Sequence, residues 1–93
     1  MISNHRKLLR GGWVYFIAGA DKVKIGVATV PCQRLAHLQA GSPVVLTLLA
    51  TEPGGQMRER ELHTRFAHLR QHREWFKRCP ELDMYINNLG VFC

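Results

Sequence analysis

The stretch Trp13-Val14-Tyr15-Phe16-Ile17-Ala18-Gly19-Ala20-Asp21-Lys22-Val23-Lys24-Ile25-Gly26-Val27-Ala28 decides the fold. Trp13–Ala18 is rich in aromatic and β-branched residues and reads as a strand. Lys22–Ala28 alternates polar and apolar residues, the pattern of a half-buried strand. Gly19-Ala20 between them predicts a two-residue turn with glycine first, and so an antiparallel hairpin. That register sets Val14 opposite Ile25 and Phe16 opposite Val23 on one uniformly apolar face. The other face carries Trp13 opposite Gly26, Tyr15 opposite Lys24 and Ile17 opposite Lys22. Cβ atoms of directly opposed residues lie about 4.5–5.5 Å apart, so a phenol and an ammonium would meet there. A cation favours the phenolate and would lower the pKa of Tyr15. The same pair also reads as an aromatic ring laid along a lysine stem.

Outward from the hairpin, Pro31 is placed to be the first residue of a helix through about Ala40, ended by Gly41 and Pro43. Leu35 and Leu38 give that helix a buried edge. Val44–Glu52 predicts a third strand, and its near-continuous apolar character predicts a central, covered position. Pro53-Gly54-Gly55 is a turn. Gln56–Arg70 predicts a helix with Met57, Leu62, Phe66 and Leu69 facing the core. Gln71–Arg73 reads as a loop, and Pro80–Asn88 as a short last helix packing through Leu82, Tyr85, Ile86 and Leu89. The expected fold class is α+β, a small three-stranded antiparallel sheet flanked by helices in the order β-β-α-β-α-α. Residues 1–12 are expected to form a flexible basic arm and residues 13–93 a single domain.

Composition narrows the function classes. With 93 residues, 46% of them hydrophobic and 22% charged, the chain supports one modest core and is too apolar for disorder. Its longest apolar run, Val44–Ala50, is too short to span a bilayer. The opening MISNHRKLLRGG lacks the apolar block of a signal peptide, so a cytoplasmic site is expected, or a host-cell cytoplasm for a phage protein. Cys32, Cys79 and Cys93 are an odd number without a CxxC pair, which argues against a disulfide framework. Zinc binding through His68, His72 and Cys79 closes no four-ligand pattern.

Thirteen Lys and Arg against seven Asp and Glu give a net charge of +6, which favours a polyanionic partner. The excess lies at Arg58, Arg60, Arg65, Arg70, Arg73, Lys77 and Arg78, six of them arginines, whose planar fork suits phosphate. Glu59 and His63 stand one turn apart beside Leu62 and Phe66. A carboxylate there, on a rigid element and partly desolvated, suits a hard cation such as Mg²⁺. An acid and a histidine at that spacing also form a common helix pair with no function. Arg34, next to Leu35, either reaches a phosphate across the sheet or solvates its helix.

Five blocks in order are VYFI (14–17), VKIG (23–26), PCQRL (31–35), ERELHTRF (59–66) and EWF (74–76). Together they resemble the GIY-YIG nuclease superfamily, and most closely its small phage and bacterial subgroup. The resemblance covers residues 13 to 86 or so. It implies a three-stranded antiparallel sheet and phosphodiester hydrolysis with one divalent metal, Mg²⁺ or Mn²⁺. It further implies that Tyr15 activates or positions the attacking water, that Arg34 stabilises the phosphate and that Glu59 holds the metal. His63 matches the subgroup's histidine, as a proton carrier or as an orienter of Glu59. Trp13 stands where the superfamily has glycine and Lys24 where it has tyrosine, so Lys24 either polarises Tyr15 or contacts phosphate. Gly26 would let phosphate approach the sheet opposite Trp13. Asn87 and Asn88 are candidates for a late asparagine. Glu74 is expected to pair a local arginine while Trp75 and Phe76 pack. The expected function is a metal-dependent DNA endonuclease with Tyr15, Lys24, Arg34 and His63 catalytic and Glu59 on the metal. RNA stays open as substrate, as does a homodimer or a protein partner that delivers the domain. A non-catalytic nucleic-acid-binding module and a basic interaction protein are the rival readings.

Overall fold

Seven consecutive cross-strand pairs join Trp13–Gly19 (β1) to Lys22–Ala28 (β2) in a computed structural model that describes residues 12–93. The turn is Ala20-Asp21, not Gly19-Ala20, so each partner slides by two residues. Val14 meets Val27, Tyr15 meets Gly26, Phe16 meets Ile25 and Ile17 meets Lys24. A two-residue slide keeps every side chain on its expected face. Ala20 takes a φ of 55° in the turn, a conformation that costs a non-glycine residue about 1–2 kcal/mol. The expected register would have paired six residues where the observed one pairs seven, and the extra pair, at about 1 kcal/mol per hydrogen bond, helps to offset that cost. Gly19 is needed elsewhere. A Cβ on it would lie 2.8 Å from Leu46 Cδ2 and 3.3 Å from the Trp75 ring.

The third strand, Leu46–Pro53 (β3), pairs with β1 through a bulge between Phe16 and Ile17. It lies at the sheet edge, contrary to the central position its apolar run suggested, and Val45 before it is 81% exposed. That edge is not left bare. The Thr51 amide donates to the Gly90 carbonyl at 2.9 Å, the Phe92 amide donates to Thr51 Oγ1 at 2.6 Å, and the Phe92 ring stacks on Trp13. A covering tail removes the hazard of an unpaired edge. It also brings Cys93 to Cys32, with Cα atoms 5.1 Å apart, and the two are joined in a disulfide while Cys79 is free. The odd count had concealed one bridge.

The expected three-stranded sheet is overturned by a second hairpin. Arg70–His72 (β4) and Trp75–Lys77 (β5) pair with each other, and β5 adds to the outer edge of β2 over Lys22–Lys24. The result is a five-stranded antiparallel sheet of order β3-β1-β2-β5-β4 with three helices, in the sequence β-β-α-β-α-β-β-α. Each new strand has three residues, and β4 is wholly polar and exposed, so neither carries an alternation that periodicity detects.

Pro31–Ala40 (α1) forms where the proline predicts it. Gly55–Arg65 (α2) stops five residues short of the expected end and gives way to a 3₁₀ turn at Ala67–Leu69. Pro80–Asn87 (α3) completes the chain's helices among the described residues. One sheet face packs Val14, Phe16, Val23, Ile25 and Phe76 against Leu62, Phe66, Leu82 and Ile86 from α2 and its exit and from α3. Met57, expected in that core, is 74% exposed. The other face packs Tyr15, Ile17 and Leu46 against Leu35 and Leu38 of α1, with Trp75 at its margin. None of the described helices is long and apolar enough to cross a membrane. The expected N-terminal arm lies outside the described residues, apart from Gly12.

The pairing of Tyr15 with Gly26 is close: a Cβ on Gly26 would stand 2.6 Å from Tyr15 Cζ and 3.0 Å from Glu74 Oε1. Gly26→Ala should therefore destabilise by about 1–3 kcal/mol, a fall of roughly 5–20 °C in melting temperature measured by circular dichroism. An unchanged melting temperature would show that the ring is free to move aside.

Candidate active site

The site lies where β5 leaves β2. β2 pairs with β1 along its whole length but with β5 only as far as Lys24, so its outer edge beyond that point is open. Two side elements close it. The Ile25 amide donates to the Glu74 carbonyl at 2.9 Å, and His63 Nε2–H of α2 donates to the Ile25 carbonyl at 2.9 Å. These two bonds draw the β4–β5 turn and α2 toward one notch. A cleft of about 560 Å³ opens there, lined by Lys24, Glu59, His63, Arg70, Arg73 and Glu74.

Tyr15 is almost fully buried, with its phenol over Gly26. Burial pushes its pKa up, and it outweighs the opposing pull of the nearby Arg34 guanidinium. Glu74 and Glu59 add to the upward push. The sequence suggested the reverse, a phenol made acidic by Lys24. In the observed register Lys24 opposes Ile17 instead, and its ammonium pairs with Glu74 Oε1 at 3.1 Å. Tyr15 is thus a phenol at neutral pH, equipped to donate a hydrogen bond. The opening that Gly26 was expected to leave for phosphate opposite Trp13 is filled by the Tyr15 ring.

Arg34 rises from α1, donates to the Val27 carbonyl at 3.3 Å and remains exposed at the rim. Glu59, partly buried on α2, has its pKa raised, first by burial and next by the charge of nearby Glu74. His63 and Lys24 pull in the opposite direction without cancelling the rise. Glu74 is therefore part of the constellation, paired with a lysine and near a second carboxylate, where the sequence favoured a local arginine partner over a place at the site. Its signal lay in the strand register: once Trp75 opposes Lys24, Glu74 must stand beside Ile25, next to Gly26.

His63 is fully occupied. Its Nε2–H is given to Ile25, and Nδ1 accepts from the Arg70 guanidinium at 2.7 Å, which fixes the tautomer. Both ring nitrogens are thus engaged, and His63 ties α2 to the edge of β2 and to Arg70. Asn88 donates to the Met84 carbonyl at the end of α3. Neither it nor Asn87 lines the cleft.

A family model, the T5orf172 domain, matches residues 12–87. The chain belongs to the T5orf172 domain family. This is an endonuclease-type family, which gives the chain a nuclease-like or nucleic-acid-related character. No curated protein and no solved structure matches the chain.

Within this T5orf172 domain the seven cations expected on nucleic acid differ in what they touch. Arg58 is bound to Glu52 at 2.6 Å, Glu61 at 2.8 Å and Tyr85 Oη at 2.7 Å, and hydrogen bonds to Glu61 and then Glu52 raise its pKa further. Tyr85 Oη in turn donates to Glu52 at 2.5 Å, tying β3, α2 and α3 together. Arg65 stacks on Tyr85 and Phe66, and Arg78 pairs with Asp83. Arg60 and Lys77 are exposed. Only Arg70 and Arg73 flank the cleft. His68, once read with His72 and Cys79 as a zinc set, pairs with Glu81, and no group of three metal-holding side chains occurs among the described residues.

Three outcomes follow from these placements. Glu59→Gln removes a carboxylate whose pKa is raised in the fold, so wild type gains stability as pH falls through that raised value and loses it above. The variant should melt about 1–4 °C higher than wild type at pH 7 in chelator, and the difference should vanish below pH ~4, followed by calorimetry. Arg73→Ala should leave the melting temperature unchanged and reduce the log–log salt slope of DNA binding by about one. Arg58→Ala should do the opposite, lowering stability by about 2–4 kcal/mol with the salt slope intact.

Proposed function

We propose that this domain is a divalent-metal-dependent endonuclease that hydrolyses phosphodiester bonds in DNA. The observation that carries the reading is the gathering of Lys24, Glu59 and Glu74 in one cleft at the sheet edge, with the Tyr15 phenol and the Arg34 guanidinium close by. Glu59 against Glu74 is a hard-oxygen donor pair whose mutual repulsion a divalent cation would relieve, so the residues fit Mg²⁺ or Mn²⁺. A bound ion would supply Lewis-acid polarisation of the phosphate and a more acidic water. Glu59 holds it, and Glu74 completes the oxygen face.

The remaining roles belong to side chains. Phosphodiester cleavage needs an oriented water and relief of charge on the non-bridging and leaving oxygens. The buried Tyr15 phenol is rigid and protonated, so it positions a water by hydrogen bonding. Arg34, already within reach of that phenol, places its guanidinium on the phosphate oxygens. Lys24 supplies a second cation from the strand, held in place by Glu74. Arg70 and Arg73 track the neighbouring phosphates. The order of sequence blocks shared with GIY-YIG nucleases supports the same roles for Tyr15, Arg34 and Glu59.

Supercoiled plasmid incubated with Mg²⁺ or Mn²⁺ should be nicked or linearised by the wild type. Glu59→Ala and Tyr15→Phe should each lower the rate by about 100-fold or more, and chelator should abolish it. Cleavage that survives in both variants would overturn the assignment of the site. Tight DNA binding without cleavage by wild type would instead make the domain a non-catalytic binding module.

A further inference from the structure

A second hollow, of about 460 Å³, opens beside the β1–β2 turn among Gly19, Leu38, Leu46 and Trp75, with Lys22 and His72 also lining it. It shares a sheet face with the active site. Lys22 and Lys24 point to that face of β2 two residues apart, so Lys22 at the hollow stands about 7 Å from Lys24 at the cleft. The two sites share a wall as well. Trp75 opposes Lys24, whose ammonium lies 5.7 Å from the indole centroid, and Trp75 follows Glu74 in the chain. His72 pairs with Trp75 across the β4–β5 hairpin, which places an imidazole beside the indole. The missing side chain of Gly19 is what lets the indole and Leu46 approach the strand so closely.

We propose that this hollow binds an unpaired nucleobase of the strand whose phosphate lies in the cleft. The inference rests on the nuclease reading and adds a preference for single-stranded or unpaired nucleic acid to it. The chemistry of the walls selects the occupant. They are apolar with an indole and an imidazole, which suits a flat aromatic group. No carboxylate lines the hollow, and Lys22 stands opposite Lys77 on the neighbouring strand, which suits an anion attached to that group. The exposed Asp21, paired with Lys22 at 3.1 Å, is the one local acid that a phosphate would displace. A base carries both properties at once, and the span to the cleft corresponds to one or a few nucleotides. Bases in a duplex are already stacked and cannot enter.

The test uses the whole chain in chelator, with Trp13→Phe so that Trp75 is the only indole, since the sequence holds two tryptophans. A short single-stranded DNA and a strand of equal length with abasic sites throughout are titrated separately, with Trp75 fluorescence and anisotropy recorded. The base-containing strand should quench Trp75 and bind about 5- to 150-fold more tightly. Gly41→Phe, whose new side chain starts from open space at the hollow, should abolish that difference and leave salt-dependent binding of the abasic strand unchanged. Equal affinity for the two strands, or a preference that persists in Gly41→Phe, overturns the base site while leaving the nuclease reading intact. Failure of both strands to bind also overturns the base site, while plasmid cleavage decides the nuclease reading separately.

Discussion

The contact between the Tyr15 ring and the bare backbone of Gly26 sets the register on which everything else rests. An aromatic ring laid over a glycine on the neighbouring strand fills the space the glycine leaves, and it does so in only one alignment. That alignment moves the turn to Ala20-Asp21 and accepts a positive φ at an alanine. It also puts Lys24 across from Ile17, where its ammonium is free to meet Glu74. Had Tyr15 opposed Lys24, the lysine would have been held at the phenol. The chemical character of the site follows from a packing choice: a neutral phenol beside an arginine, and a lysine beside two carboxylates.

The hairpin faces, the helix begun by Pro31 and the short last helix were legible because their signals are local and strong. Alternation, a proline at the first helical position and a repeated apolar edge all survive without tertiary context. The second hairpin was not legible for the same reason in reverse. Arg70–His72 has no apolar residue, and each strand is held by its neighbour rather than by its own preference. The edge position of β3 was hidden because a tail at the far end of the chain covers it, a contact no local pattern carries. Tyr15, Arg34 and Glu59 were singled out by the spacing of sequence blocks. Glu74 was passed over because its place depends on the strand that was missed.

The arginines show how little a count of charges says about a surface. Between Arg58 and Arg78 the excess looks like a single phosphate-binding face. In the fold, Arg58 is a strut between two carboxylates and a tyrosine, Arg65 lies along aromatic rings and Arg78 holds an aspartate. Arginine serves both purposes because its fork is as well suited to fixed carboxylates as to phosphate. Which purpose applies is decided by what α2 turns each residue toward. Arg70 does both: it holds His63 Nδ1, its guanidinium lies 5.6 Å from the Phe76 ring centroid, and it borders the cleft.

Stability and chemistry are therefore divided between the two sides of α2. On one side Leu62 and Phe66 are fully buried and the Glu52–Tyr85–Arg58 network joins three elements. On the other side Glu59 is partly desolvated and set against Glu74, an arrangement that opposes folding at neutral pH. A helix whose sequence is mostly polar would not hold two carboxylates together through its own preferences. It does so because the opposite side anchors it, with each fully buried large apolar side chain contributing about 1.5–3 kcal/mol. The His63 bond to Ile25 then sets how closely the helix approaches the open edge of β2. On the proposed reading, this carboxylate pair, strained by its own charge, is the feature a divalent cation would relieve.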